Sequence, residues 1–221
     1  MLGVVIPFLL IPAAVLAGAL VFREKGWAFL SLGVAVLSLL LFITGFEKKK
    51  TGTRRLLLAA VLTALAVTGR FIFSPIPGVN PITAITVLAA VYMGGESGFL
   101  IGALSALISN VFAGQGVWTP FQMLAWGMLG LLAGLCSKYL AGHKIRLCVY
   151  NFFGGILYSL IMDLWTVIWY NGAFNGAEYL AAITTALPFT AVYSVSNILF
   201  TLLLEKPFGE KLTRMKKKYG I

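Results

Sequence analysis

Apolar runs of about twenty residues, separated by short polar turns, repeat along the whole chain. They occupy residues 3 to 22, 27 to 46, 56 to 73, 97 to 113, 120 to 140, 148 to 170 and 182 to 204. Each is near the length that carries an α-helix across a hydrocarbon core about 30 Å thick. An eighth run, PITAITVLAAVYM over 81 to 93, is short for a full crossing, yet counting it places every strongly basic loop on one side. The first run has no basic residue before it and is followed at once by another span, so it reads as a span and not as a cleaved leader. The pattern predicts an all-α integral membrane protein: a six-helix bundle preceded by two additional transmembrane helices. The expected boundaries are an N-terminal helix pair over 1–47, a basic loop over 48–55, a six-span unit over 56–205 and a basic tail over 206–221.

Periodicity adds detail inside the runs. Gly94, Gly98, Gly102 and Ala106 recur every four residues, so they share one helix face that lets a second helix approach closely, and the stripe ends in Asn110. Composition agrees with a lipid-embedded chain: 60% hydrophobic residues, 11% charged residues and a mean hydropathy of +0.95.

The net charge of +10 is concentrated in three places. Lys48, Lys49, Lys50, Arg54 and Arg55 share one loop; Lys138, Lys144 and Arg146 share another; the tail holds Lys206, Lys211, Arg214, Lys216, Lys217 and Lys218. By the positive-inside rule these segments face the cytoplasm of a prokaryotic cell, with both termini inside the cell membrane and the turns near 74 to 80, 114 to 119 and 171 to 180 outside. Arg23 and Lys25, flanking Glu24 in an outer turn, are the exception. Attraction to anionic headgroups of the lipid bilayer accounts for the basic tail, and no nucleic acid partner is needed.

Much catalytic chemistry is excluded. His143, the only histidine, lies between spans beside Lys144, too far from the apolar segments to serve an intramembrane triad or a zinc site. Cys136 and Cys148 fall at the inner, reducing ends of neighbouring spans and imply neither a disulfide nor a metal site. No glycine loop followed by Lys and Ser or Thr appears, so any ATP hydrolysis belongs to a partner. GALS, from Gly102 to Ser105, lacks a histidine in a later span and reads as a packing face. No catalytic residue, metal site or resident cofactor is therefore expected.

Polar residues within the spans suggest binding instead. Arg70 and Asp163 reach comparable depths on separate helices, where they either form a structural ion pair or meet a ligand. Glu96, in the tight turn GGES, reads as solvated. Toward the outer side gather Asn110, Gln115, Trp118, Gln122, Trp126, Trp165, Trp169, Tyr170 and Asn171, with Asn151 deeper and Tyr193 and Asn197 on the last span. Buried amides are costly without partners, so they point to a polar cavity or an interhelical network, and aromatics around them suit a ring-bearing polar guest. SPIPGVNP over 74 to 81, with a hinge at Gly78 and an amide at Asn80, is a stiff candidate lid. In GQGVWTP, Thr119 and Pro120 are placed to cap and begin the next helix. The candidate ligand-binding set is Arg70, Asn80, Asn110, Gln115, Trp118, Gln122, Trp126, Asp163, Trp165, Trp169, Tyr193 and Asn197.

Over about residues 52 to 205 the chain resembles the substrate-binding S components of energy-coupling factor (ECF) vitamin transporters. The resemblance rests on the six-span unit, on Ala60 and Ala64 in AAVLTA, on the proline-rich first outer loop, and on the SN, GQG and WTPFQM run from Ser109 to Met123. It implies a unit that binds a vitamin from outside and docks through Ala60 and Ala64 on a transmembrane T component driven by two ABC ATPases; the vitamin is cargo. The GQG and WTPFQM run is similar to S components of cobalamin or corrinoid uptake, with riboflavin, folate, pantothenate or a cobalamin precursor also open. The two additional N-terminal spans depart from the usual pattern. The alternative reading is an ion-coupled secondary transporter with Asp163 or Arg70 as its coupling site.

Overall fold

The computed structural model describes residues 5–22, 27–44 and 52–219, and among them every regular element is helical. A π-helical turn, Ile6–Leu10, leads into α1 (Ile11–Phe22), followed by α2 (Trp27–Thr44), α3 (Gly52–Ile72), α4 (Ile82–Met93) and α5 (Gly95–Ala113). Then come α6 (Thr119–Leu135), the single turn α7 (Ser137–Leu140), α8 (Lys144–Asn171) and α9 (Gly176–Tyr219). Four described helices, α3, α5, α8 and α9, are long and apolar enough to cross a membrane, and shorter apolar helices cover Ile6–Gly18, Ala28–Ile43, Ile82–Met93 and Thr119–Leu135. Each apolar run of the sequence is thus a helix. The exceptional turn at Arg23 to Lys25 and the lysines at 48 to 50 lie outside the described residues.

The short run at 81–93 is the centre of the bundle. In α4 every residue except Tyr92 is buried, and α3, α5, α6, α8 and α9 all contact it. Twelve residues suffice because this helix is solvated by protein and not by lipid.

The glycine stripe does what its spacing predicts, with one departure. A Cβ on Gly98 would fall 3.0 Å from the Gly130 Cα, and one on Gly102 would fall 2.5 Å from the Trp126 carbonyl oxygen, so α5 and α6 cross backbone to backbone. Gly94 is not part of that face. At φ +102° it turns the chain between α4 and α5, where a side chain would be strained. The N-terminal pair packs on the same two helices, α2 against α5 and α6, with Leu41 and Phe42 fully buried.

The basic end differs in detail from its sequence reading. Arg54 and Arg55 belong to the first turns of α3 and not to a loop. The Arg55 side chain is buried: its Nε donates to the Ser97 Oγ at 2.8 Å, its Nη2 donates to the Met93 carbonyl at 2.5 Å, and Glu96 pairs with it at 3.7 Å. Glu96, with 36% of its side chain exposed, is thus both solvated and an ion-pair partner. The basic tail continues α9, whose 44 residues span about 66 Å at 1.5 Å per residue, far more than one bilayer core. Beyond Pro207 this helix stays attached, with Leu212 buried and Phe208 and Met215 packed on the core.

Candidate functional site

At the end of the bundle remote from Arg55 lies a cavity of about 320 Å³. The last turn of α3 contributes Arg70 and Phe71, α5 contributes Ser109 and Phe112, α6 contributes Gln122 and Trp126, α8 contributes Tyr158, and α9 contributes Phe189 and Tyr193. Residues 74 and 76–80 complete the wall from the α3–α4 loop. That loop is two successive turns, with the Ile76 N–H donating to the Phe73 carbonyl at 3.0 Å and the Val79 N–H to the Ile76 carbonyl at 3.1 Å. Gly78 sits at φ +79°, and a Cβ there would lie 3.4 Å from both Phe189 and Val192, so the loop rests directly on α9 as a roof. Asn80 lines the cavity while its Oδ1 accepts the Ile82 N–H at 3.2 Å, which ties the roof to the start of α4.

The floor is an aromatic stack. Trp126 lies nearly parallel to Tyr158 at 4.9 Å between ring centroids, Tyr158 meets Tyr193 at 4.9 Å, and Phe189 stacks on Tyr193 at 6.0 Å. The Trp126 Nε1–H donates to the Tyr193 hydroxyl at 2.7 Å, and that hydroxyl shares a 2.6 Å hydrogen bond with Thr83 on α4. Each buried polar tip thus has a partner, which holds the rings in one arrangement.

Polar side chains form a relay beside the stack. Arg70 Nη1 donates to the Ser109 Oγ at 2.5 Å and to the Asn110 Oδ1 at 2.9 Å, and its guanidinium carbon lies 5.2 Å from the Trp126 ring centroid. Asn110 Nδ2 donates to the Thr119 Oγ1 at 2.9 Å and to the Gln122 Oε1 at 2.8 Å; Gln122 Nε2 donates to the Tyr158 hydroxyl at 3.0 Å. Asn110, fully buried, is the hub behind the wall and not part of it. This is why the glycine stripe ends there: α5 runs close along α6 until an amide can bond across to it.

Of the residues singled out from sequence, Arg70, Asn80, Gln122, Trp126 and Tyr193 line the cavity. The others stand elsewhere. Gln115 braces the α5–α6 turn, its Nε2 donating to the Leu107 carbonyl at 2.6 Å and its Oε1 accepting from Thr119 at 3.0 Å. The Thr119 hydroxyl is therefore not a helix cap: Trp118 holds the cap position, and Thr119 is the first residue of α6. Trp118 meets Trp165 edge to face at 6.1 Å, outside the cavity, and Trp169 lies farther along α8, also outside it. Asn197 Nδ2 donates to the Asn151 carbonyl at 3.2 Å, within a polar seam joining α8 and α9. Asn171, the last residue of α8, donates to Glu178 in the first turn of α9.

Of the two readings open for Arg70 and Asp163, the ion pair does not occur. Arg70 is held by α5, whereas Asp163 borders a separate, mostly apolar cleft between α8 and α9 with Ser159, Leu187 and Thr190. Equal depth in a membrane does not put two side chains on facing helix faces. Tyr158, central to the floor, was not singled out from the sequence, although a signal was present. Gly154 faces Leu129 and Thr83, and Tyr158 follows it four residues later on the same inward face.

Comparison with known proteins accords with this architecture. The chain matches the family described as ECF-type riboflavin transporter, S component, over residues 50–212. It is 27% identical over 115 residues to a UPF0397 protein of Aliivibrio salmonicida (strain LFI1238), a match covering 52% of this chain and 60% of that protein. UPF0397 proteins of Aliivibrio fischeri, strains MJ11 and ATCC 700601 / ES114, are each 26% identical over 114 residues, covering 52% of this chain and 59% of theirs. The chain thus spans less than two thirds of the curated relatives it matches. No solved structure matches it. The family match covers most of the chain, including the cavity and its roof, and the chain belongs to this family of transporter S components. It is a multi-pass membrane protein of a substrate-binding family, not of an enzyme family.

Proposed function

We propose that the chain captures a compact, ring-bearing vitamin in the cavity under the 74–80 loop and delivers it inward through a T component driven by two ABC ATPases. The observation that carries this reading is the stacked Trp126, Tyr158 and Tyr193 floor beneath a loop seated on α9. With the basic segments facing the cytoplasm, both termini are inside and the roofed cavity opens outward, the side from which an importer takes its cargo. Ala60 and Ala64 lie exposed on α3, and such small residues permit the close helix approach that docking on a T component requires.

Size bears on the cargo. A cavity of about 320 Å³ stands at the small end of ligand sites. A corrin macrocycle with its nucleotide loop would require the roof to lift well away from Phe189, so the volume favours a vitamin of a few fused rings over cobalamin. The riboflavin in the description of the matching family accords with a cargo of that size. The test is purification of the tagged chain from its native host, with native mass spectrometry of the product. A T component, two ATPases and a bound small molecule are expected. Ligand uptake that persists without the ATPases and collapses with an uncoupler would overturn the reading.

A further inference from the structure

The hydrogen-bond relay engages the side-chain oxygens of Asn110, Gln122 and Tyr193 and leaves donors over. Asn110 has both amide hydrogens and its carbonyl engaged, and Gln122 uses its carbonyl for Asn110 and its amide for Tyr158. The Tyr193 hydroxyl is held between Trp126 and Thr83. Besides Ser74 and the Asn80 amide in the roof, two groups beside the relay keep unused hydrogens among the described residues. Tyr158 accepts from Gln122, so its own O–H remains to be given. Arg70 spends only Nη1 on Ser109 and Asn110; among the described residues its Nε and Nη2 have no protein acceptor. That edge of a guanidinium takes two oxygens side by side.

Charge points the same way. No Asp or Glu lines the cavity, so Arg70 is its one charged residue. Its natural carboxylate partner from depth alone, Asp163, borders a different cleft. A cation at the end of a membrane helix, beside the Trp126 ring and without a counter-ion in its own cavity, is unfavourable until an anion arrives.

We infer that the cargo is an anion: a ring-bearing solute whose carboxylate or phosphate oxygens are taken by the free Nε–Nη2 edge of Arg70 and the Tyr158 hydroxyl, while its ring lies on the Trp126 and Tyr158 floor. This rests on the vitamin-binding reading above and narrows it to acidic cargo. Cationic ring compounds are repelled by the same guanidinium, and neutral ones leave its donors unpaired when the roof excludes water.

Matched pairs differing only in the acidic group provide the test: nicotinate with nicotinamide, biotin with biotinamide, and riboflavin 5′-phosphate with riboflavin. Each is titrated against the full chain in nanodiscs, with tryptophan fluorescence and calorimetry as readouts. In at least one pair the acid is expected to bind about tenfold or more tightly than its neutral partner, the scale of a charge-assisted hydrogen-bond pair. Arg70→Gln should abolish that preference, whereas Arg70→Lys, which keeps the charge but loses the two-pronged edge, should retain part of it. Thermal unfolding of both variants controls for folding. Neutral partners that bind as well as the acids, or a preference that survives in Arg70→Gln, would overturn the inference and leave the vitamin reading standing. Failure of every compound to bind, in the wild-type chain and in its complex with the transporter partners, would instead remove the vitamin reading and this inference with it.

Discussion

Adding one methyl group at Gly102 should separate α5 from α6, two of the helices that wall the cavity. A Cβ there would lie 2.5 Å from the Trp126 carbonyl oxygen, 2.6 Å from its carbon and 2.9 Å from the Gly127 nitrogen, where ordinary contact begins at 3.4 Å. All three neighbours are backbone, so no rotamer change relieves the clash and α5 must shift by close to an ångström. One turn away Gly98 meets Gly130 just as closely, so the shift breaks a second contact. Overpacking of this kind costs about 1 to 3 kcal/mol. Better helix propensity of alanine returns at most about 1 kcal/mol. Because two backbone crossings yield together, the net loss for Gly102→Ala should be about 2 kcal/mol. Gly33→Ala is the control: nothing lies within 4 Å of its Cβ position, so that variant should be neutral or slightly more stable. Thermal unfolding of wild type and both variants in the same nanodiscs reads the difference. A Gly102→Ala protein as stable as Gly33→Ala would show that α5 and α6 do not cross at this face.

Three further outcomes follow from the site. Trp126→Phe keeps a ring in the floor but deletes the Nε1–H donated to Tyr193, so ligand affinity should fall several-fold, while Trp118→Ala, outside the cavity, should change it by no more than about twofold; the reverse order in a fluorescence titration would move the site toward Trp165. Since Arg70 and Asp163 border separate cavities, the stability losses of Arg70→Gln and Asp163→Asn should add to within about 0.5 kcal/mol in the double variant, and a coupling above about 1 kcal/mol would restore the ion pair. Replacing Ala60 and Ala64 together by Trp should abolish uptake in whole cells yet leave binding to the isolated chain intact, and lost binding would assign that face to the internal fold.

Features that depend on local pattern were legible in the sequence. Apolar length located every long helix, including the central α4 but not the single turn α7, and four-residue spacing found the α5–α6 crossing, because both quantities are properties of one helix in isolation. Arg70, Gln122 and Trp126 were legible as cavity-lining residues because each is polar or amphipathic where lipid would penalise it. What sequence pattern lacks is azimuth. Depth alone left a pair of Arg70 with Asp163 open, and only the rotation of α3 and α8 about their own axes shows that the first turns its Nη1 to Ser109 and Asn110 and the second borders α9. The same gap put Trp118, Trp165 and Trp169 at the cavity and left out Tyr158, since aromatics crowd that stretch of α8 and its inward face is marked by Asn151, Gly154 and Gly155 and not by an aromatic pattern. Thr119 misled differently: its place before Pro120 suggested a cap, but with α5 so close its hydroxyl serves Asn110 and Gln115 instead.

One helix connects the proposed docking face to the proposed ligand. Along α3, Arg55 is fastened to Ser97 and Met93 at one end, Ala60 and Ala64 face outward in the middle, and Arg70 meets the cavity at the other. Ala60 and Arg70 are ten residues apart, about 15 Å along a single rigid element. A partner seated on the two alanines therefore grips the helix whose last turn holds Arg70, and any tilt of α3 moves the guanidinium relative to the Tyr158 floor. Docking and ligand binding should then oppose each other. Linkage requires that the T component weaken ligand binding by the same factor by which ligand weakens docking. A fivefold to 150-fold factor, about 1 to 3 kcal/mol, is the usual range for such coupling. Titrating ligand into the chain alone and into its complex with the T component, both held in nanodiscs without ATP, measures it directly. An affinity unchanged by the partner would show that α3 carries nothing from its outer face to Arg70, and that release must begin instead at the 74–80 loop.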